Sequence, residues 1–215
     1  MNPKYIESFL CEYSEFSINP IINNEFILKG ELQRVVTYKE NEPLKLFYSL
    51  SIHFSADYPS EPPIIYENKN QIQKVSSNHI NPDGSFCLGS PIRLKLVLKK
   101  TPDFKYFFES CVLPYLYAVT MNQQHGKGFI FGELDHGNEG LVSDFQDLFH
   151  LQKPPQVFYM LKVLSTRKKI ANKMNCPCEC GKRITKCNYF NYVVRMRKTF
   201  TRSEWEEQYN IIGGI

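Results

Sequence analysis

Seven cysteines carry most of the reactive chemistry available to this 215-residue chain, and they fall into distinct settings. Four lie within twelve residues, as Cys176-Pro-Cys178-Glu-Cys180-Gly-Lys-Arg-Ile-Thr-Lys-Cys187. Four soft thiolate donors so close together suit one zinc ion, which takes such ligands as a tetrahedron in structural sites. A fifth, Cys87, lies towards the end of an irregular stretch at residues 76–90 (SSNHINPDGSFCLGS), where Asn-Pro and Asp-Gly set tight turns. A thiol delivered by a constrained loop is a candidate nucleophile, because loops on a rigid scaffold are where reactive groups concentrate. A free thiol with a pKa of about 8.5 is only a few per cent thiolate at neutral pH but is intrinsically nucleophilic, so modest activation is enough. Cys111 sits in an aromatic helical stripe and reads as a packing residue, and Cys11 lies off the apolar face of the first helix.

The elements that must position these thiols read as an α+β fold. Ile6, Phe9, Leu10 and Tyr13 recur at helical spacing and predict a short amphipathic helix over residues 3 to 14. Residues 26–36 and 44–54 predict two strands; in the second, Leu44, Leu46, Tyr48, Leu50, Ile52 and Phe54 alternate strictly. The intervening KENEP predicts a turn, so the two strands pair as an antiparallel hairpin. In DYPSEPPIIYE three prolines fix backbone angles and remove amide donors, which permits a rigid corner before a short strand at 64–66. Ile92, Leu94, Leu96 and Leu98 alternate with charges, the pattern of a strand or a loop edge. A helix is expected at about 103–119, with Pro114 kinking or shortening it. Two further helices, at 141–149 and 156–165, are split by Pro154-Pro155. Glycines 126, 128 and 132 miss the dinucleotide fingerprint by one residue, so no nucleotide site is read there.

Composition bounds the class. With 42% hydrophobic and 22% charged residues, 13 Tyr and 16 Phe, the chain has the material for a packed core. An odd number of crowded cysteines is not a secreted disulfide framework. Glu7 and Glu12 stand where a secretory signal would be basic and then apolar, and no apolar run approaches the roughly 20 residues of a spanning helix. The expected address is cytoplasmic, with no membrane partner. The net charge of +4 conceals an asymmetry: residues 160–203 hold twelve Lys and Arg against one acidic residue, a net +11, leaving −7 elsewhere. The expected division is therefore a domain at 1–165 and a basic, cysteine-rich module at 166–215.

One helix, a hairpin, the Tyr58-Pro59-x-x-Pro62-Pro63 corner, a third strand, a loop with His79, Asn81 and Gly84, and then Cys87-Leu88 form an order of parts that resembles the ubiquitin-conjugating enzyme family over residues 3–120. The resemblance implies the ubiquitin-conjugating-like fold, a transferase activity and a role for Cys87. Its thiolate would accept an acyl group as a thioester from a separate activating enzyme and pass it to a lysine. His79 and Asn81 are the implied loop companions, with His79 read first as a residue that holds the loop backbone and second as a general base. Amides of the Asp83-Gly84-Ser85 turn, or a side-chain amide, are the expected oxyanion donors. Here His79 and Asn81 stand eight and six residues before the thiol, a loop two residues shorter than is common in the family, and the only tryptophan is Trp205. The chain is most similar in character to divergent bacterial members from antiphage defence operons. There the carried group is the C-terminus of a ubiquitin-like protein or of a nucleotide cyclase.

Cys176, Cys178, Gly181, Lys182, Lys186 and Cys187 resemble the SEC-C zinc motif, with Asn188 where its last ligand stands and Cys180 in place of its serine. This implies structural zinc on Cys176, Cys178, Cys180 and Cys187; a redox-sensitive cluster without metal is the alternative. Lysines around four thiolates offset their charge. With Tyr189, Phe190, Tyr192 and Phe200 interleaved, the basic segment suits an acidic protein partner first, and nucleic acid held by phosphate contacts and stacking second. Two other classes compete with the transferase: a non-catalytic adaptor of the same fold, indifferent to loss of Cys87, and a nucleic-acid-binding module that depends on the tail. His136, among acidic neighbours, and the Gly213-Gly214 end are left without a role.

Overall fold

The computed structural model describes residues 2–20, 26–38, 40–126, 128–129 and 137–213. His136 and Gly214 lie outside them. The chain divides into two compact units, Met1–Glu133 and Leu134–Ile215.

The first unit is α+β. Helix α1 (Lys4–Glu12) leads into strands β1 (Phe16–Pro20), β2 (Phe26–Val36), β3 (Leu44–Phe54) and β4 (Ile64–Glu67), which form one antiparallel sheet in the order of the sequence. The alternation read from the sequence is the physical register: Leu28 and Leu32 of β2 and Leu46, Leu50 and Ile52 of β3 are wholly buried on one face. Strand β1 has no counterpart in the sequence reading, because five residues ending in Asn-Pro carry too little pattern. It holds the sheet edge through close contact, with Phe16 directly opposite Gly30.

Three helices follow, α2 (Pro91–Lys100), α3 (Phe104–Phe107) and α4 (Leu113–His125), of which α4 packs against β3. The first of these replaces the expected strand or loop edge at 92–98. Ser90 caps it, its hydroxyl accepting the Arg93 amide at 3.4 Å, and Pro91 occupies the first turn, where a missing N–H costs nothing. These local signals outweigh the two-residue alternation. Between α3 and α4, Phe108–Val112 winds as a π-turn just ahead of Pro114, so the expected kink takes the form of a wider turn that tolerates the absent donor. Phe9 of α1 meets Phe104 and Phe108 at centroid separations of 4.7 and 5.0 Å, so helix, π-turn and sheet close on one aromatic cluster. The proline corner is anchored by Tyr58, which is buried and donates its hydroxyl to the Pro102 carbonyl at 3.0 Å.

The second unit is helical: α5 (Gly137–Phe149), α6 (Pro154–Ser165), α7 (Lys168–Ala171), α8 (Phe190–Thr199) and α9 (Arg202–Gly213). Trp205 is fully buried between Phe149 and Phe200, and its indole N–H reaches the Met196 carbonyl at 3.3 Å. The expected division at residue 165 thus falls inside this unit, because α5 and α6 supply its apolar wall. Charge changes sign at that point, but the core does not break there. Among the described residues no helix is long and apolar enough to cross a membrane.

A Cβ at Gly30 would stand 2.5 Å from the Phe16 ring and 2.8 Å from the Glu15 carbonyl oxygen. Gly30→Ala should therefore lower stability by about 2 kcal/mol through overpacking against backbone, whereas Lys29→Ala on the exposed face should change it by less than about 0.5 kcal/mol. Chemical denaturation midpoints check both.

Candidate functional site

Cys87 is placed by a small hairpin that the sequence reading took as irregular. After the turn Ser76–Asn78, the Asn78 carbonyl accepts the hydroxyl of buried Tyr115 on α4 at 2.8 Å. His79 then adopts a left-handed backbone (φ 51°) and packs its ring edge-on against Phe129 at 4.4 Å. The chain turns over Asn81-Pro82-Asp83-Gly84: the Gly84 amide donates to the Asn81 carbonyl at 2.8 Å, and Gly84 takes the positive φ of 85° that closes such a turn. Ile80 pairs with Phe86, and the Cys87 amide donates to the His79 carbonyl at 2.8 Å. The outgoing arm docks on β4, where Ser85 bridges Tyr66 and the Phe86 amide reaches the Ile65 carbonyl at 2.9 Å.

The loop's polar side chains brace this hairpin. Asp83 accepts both the amide and the hydroxyl of Ser85, at 3.0 and 2.7 Å, and these bonds, the hydroxyl first, hold its carboxyl below the usual carboxylate range. The Asn81 side-chain amide donates to the Ser85 hydroxyl at 3.0 Å and to the Phe86 carbonyl at 3.4 Å. Both of its N–H groups are committed inside the hairpin, so Asn81 acts here as a strut. His79 is 9% exposed, and its main-chain carbonyl is the atom shown bonded to Cys87.

Cys87 itself is half-buried at the foot of the hairpin, three residues before the Ser90 cap of α2. The expected oxyanion donors are not available there. Gly84 and Ser85 give their amides to Asn81 and Asp83, because the turn needs them to close. Among the described residues, the amides of Leu88 and Gly89, just after the thiol, make no hydrogen bond. A Cβ built on Gly89 would touch nothing within 4 Å, so a side chain there would meet open space. These two donors escaped the sequence reading, whose turn signals pointed to residues 83–85. Cys111 is largely buried, and burial pushes its thiol up to about 11, in keeping with a packing role. Cys11 is exposed.

The second unit carries the other thiols. An antiparallel bridge between Asn175 and Arg183, with the Cys176 amide on the Lys182 carbonyl at 2.9 Å, folds Cys176–Lys182 into a knuckle; Glu179 and Gly181 supply its positive φ values. Cys187 enters from the turn Ile184–Lys186, whose Ile184 is wholly buried and donates its amide to the Met174 carbonyl. The four sulfur atoms lie within 4.8 Å of one another, with Cys176 3.1 Å from Cys178 and Cys178 3.6 Å from Cys187. Sulfur atoms around a tetrahedral zinc with bonds of about 2.3 Å stand about 3.8 Å apart, so the cluster fits such an ion and needs little adjustment to hold it. The thiols differ in setting. Burial pushes Cys176 and Cys178 up, while the Lys182 amide, helped by Cys178, draws exposed Cys180 down to about 7.

Comparison with known proteins finds no matching family model, no matching curated protein and no matching solved structure.

The cluster should bind one zinc per chain by elemental analysis, and Cys176→Ala should abolish that binding. Because thiolates must be deprotonated to bind metal, the sign with pH is fixed: occupancy should be complete near neutrality and fall on acidification, as a zinc-release dye would report.

Proposed function

We propose that the first unit is a ubiquitin-conjugating-like acyl carrier that holds its cargo on Cys87. The observation that carries this reading is the half-buried thiol between a braced hairpin and a capped helix, followed by two amides that make no hydrogen bond. A helix, three strands of an antiparallel meander, a Tyr-Pro-x-x-Pro-Pro corner, the fourth strand, the loop and then the cysteine, in that order, support the ubiquitin-conjugating-like fold.

In this reading the Cys87 thiolate attacks an activated C-terminal carbonyl presented by a separate activating enzyme. The carbon–sulfur bond forms as the activating group leaves. A lysine amine then attacks the thioester, the carbon–nitrogen bond forms, the thiolate departs and the amine's proton passes to water. In both steps the carbonyl oxygen gains negative charge, and in this reading the Leu88 and Gly89 amides are the donors that receive it. Asn81 and Asp83 act one step removed, by fixing the hairpin on which the thiol rides. The cargo is the C-terminus of a ubiquitin-like protein or a nucleotide cyclase, in bacterial antiphage defence within the cytoplasm. The second unit, holding structural zinc on Cys176, Cys178, Cys180 and Cys187, selects partners.

Intact-mass analysis of the protein isolated from its own cells tests the carrier. The native protein should bear an adduct on Cys87 that dithiothreitol removes. Cys87→Ser should convert it to an ester that resists thiols but yields to base, and Cys87→Ala should carry none. An adduct that survives Cys87→Ala would reject the assignment, and unchanged cellular activity in that variant would identify a non-catalytic adaptor.

A further inference from the structure

The basic segment of the second unit is not absorbed by acyl transfer or by the metal. Four thiolates around a zinc ion contribute a net −2, so the +11 of residues 160–203 falls only to +9. The segment's one acidic residue, Glu179, is already paired with Lys153 from outside it, at 2.8 Å. Lys169, Lys173, Lys182, Arg183, Lys186 and Lys198 are all exposed, and among the described residues none of them makes an ion pair. The fold gathers them from three stretches of chain. The Asn175–Arg183 bridge, with the Cys176 amide on the Lys182 carbonyl and the Ile184 amide on the Met174 carbonyl, sets 174–176 beside 182–184, so the turn that ends at Lys173 leads directly into the stretch paired with Lys182 and Arg183. Arg197 of α8 bonds the Asn172 side chain at 2.9 Å, which holds the helix bearing Lys198 against the turn before Lys173.

We propose that this surface is a docking site for double-stranded nucleic acid, gripped by its phosphates without reading its bases. The alternatives fail on chemistry. A protein interface needs an apolar centre from which charge is depleted, yet among the described residues between 160 and 203 the only large exposed hydrophobic one is Ile170. A single strand needs free aromatic platforms, and three of the four interleaved rings are committed to other contacts. Tyr189 donates its hydroxyl to the Phe149 carbonyl at 2.6 Å, Tyr192 donates to Leu148, and Phe200 is 2% exposed. What remains is dense positive charge, outside any ion pair and set on a rigid base, which suits the regular phosphates of a duplex.

Fluorescence polarisation of a short, labelled, mixed-sequence DNA duplex with the full zinc-loaded chain tests the surface. Affinity should fall linearly with salt on logarithmic axes and be indifferent to a scrambled sequence. Lys173→Gln with Arg183→Gln should weaken binding at least several-fold and reduce the salt slope by nearly 2, about 0.9 for each phosphate that is no longer neutralised. Zinc content and the circular dichroism spectrum report whether that variant is folded; if it is not, Lys186→Gln with Lys198→Gln is read in the same way. Absence of duplex binding at low salt, or an unchanged slope in a folded double variant, overturns the proposal. So does tighter binding of a single strand, and so does polyglutamate that displaces the duplex as well as unlabelled duplex does, which would return the surface to an acidic protein. None of these outcomes depends on an adduct at Cys87.

Discussion

Main-chain pairing of Phe86 to Ile65 and of Cys87 to His79 is the constraint on which the first unit's site depends. It joins the reactive loop to the sheet at β4, so the thiol inherits the rigidity of four strands rather than the freedom of a fifteen-residue loop. The side chains of Asn81, Asp83 and Ser85 close on one another above this ladder. Their hydrogen-bonding capacity is used in shaping the turn, and the donors left over are those after the cysteine, where chain curvature into α2 leaves amides unpaired.

Much of this arrangement was legible in the residues, and the exceptions have physical causes. Strands β2 and β3 were read at their true bounds, because one buried face writes a two-residue period into the chain. The same period at Ile92, Leu94, Leu96 and Leu98 misled, since a Ser-Pro start fixes a helix whichever way its leucines fall. Strand β1 is short and borrows its place from Gly30, a contact between residues distant in sequence. The identity of the candidate thiol could be read from the chain, but the commitments of its neighbours' amides could not, because hydrogen-bond partners are a property of the closed hairpin.

In the second unit the cysteine spacing pointed to a metal cluster, and the four sulfurs do converge. Charge was a poor guide to its limits. The apolar residues that enclose Trp205 begin in α5, well before the lysines do, so a boundary drawn on sign alone removes half of the core from the module it stabilises. The aromatic residues between the lysines suggested stacking surfaces, whereas in the folded chain Phe200 is buried and Tyr189 is tied by its hydroxyl to the Phe149 carbonyl.

The π-turn at Phe108–Val112 ties the scaffold to the reactive loop in one further way. It adds a residue to one winding of the helix, which sets the rotational phase of everything after it, including the Tyr115 hydroxyl that holds Asn78. Excising a residue there would regularise the winding while swinging α4 by about 100°, the angle of one helical step. Tyr115 would then turn away from the loop that leads to Cys87. Length in that helix and shape in that loop are therefore joint properties, and change in one has to be matched by change in the other.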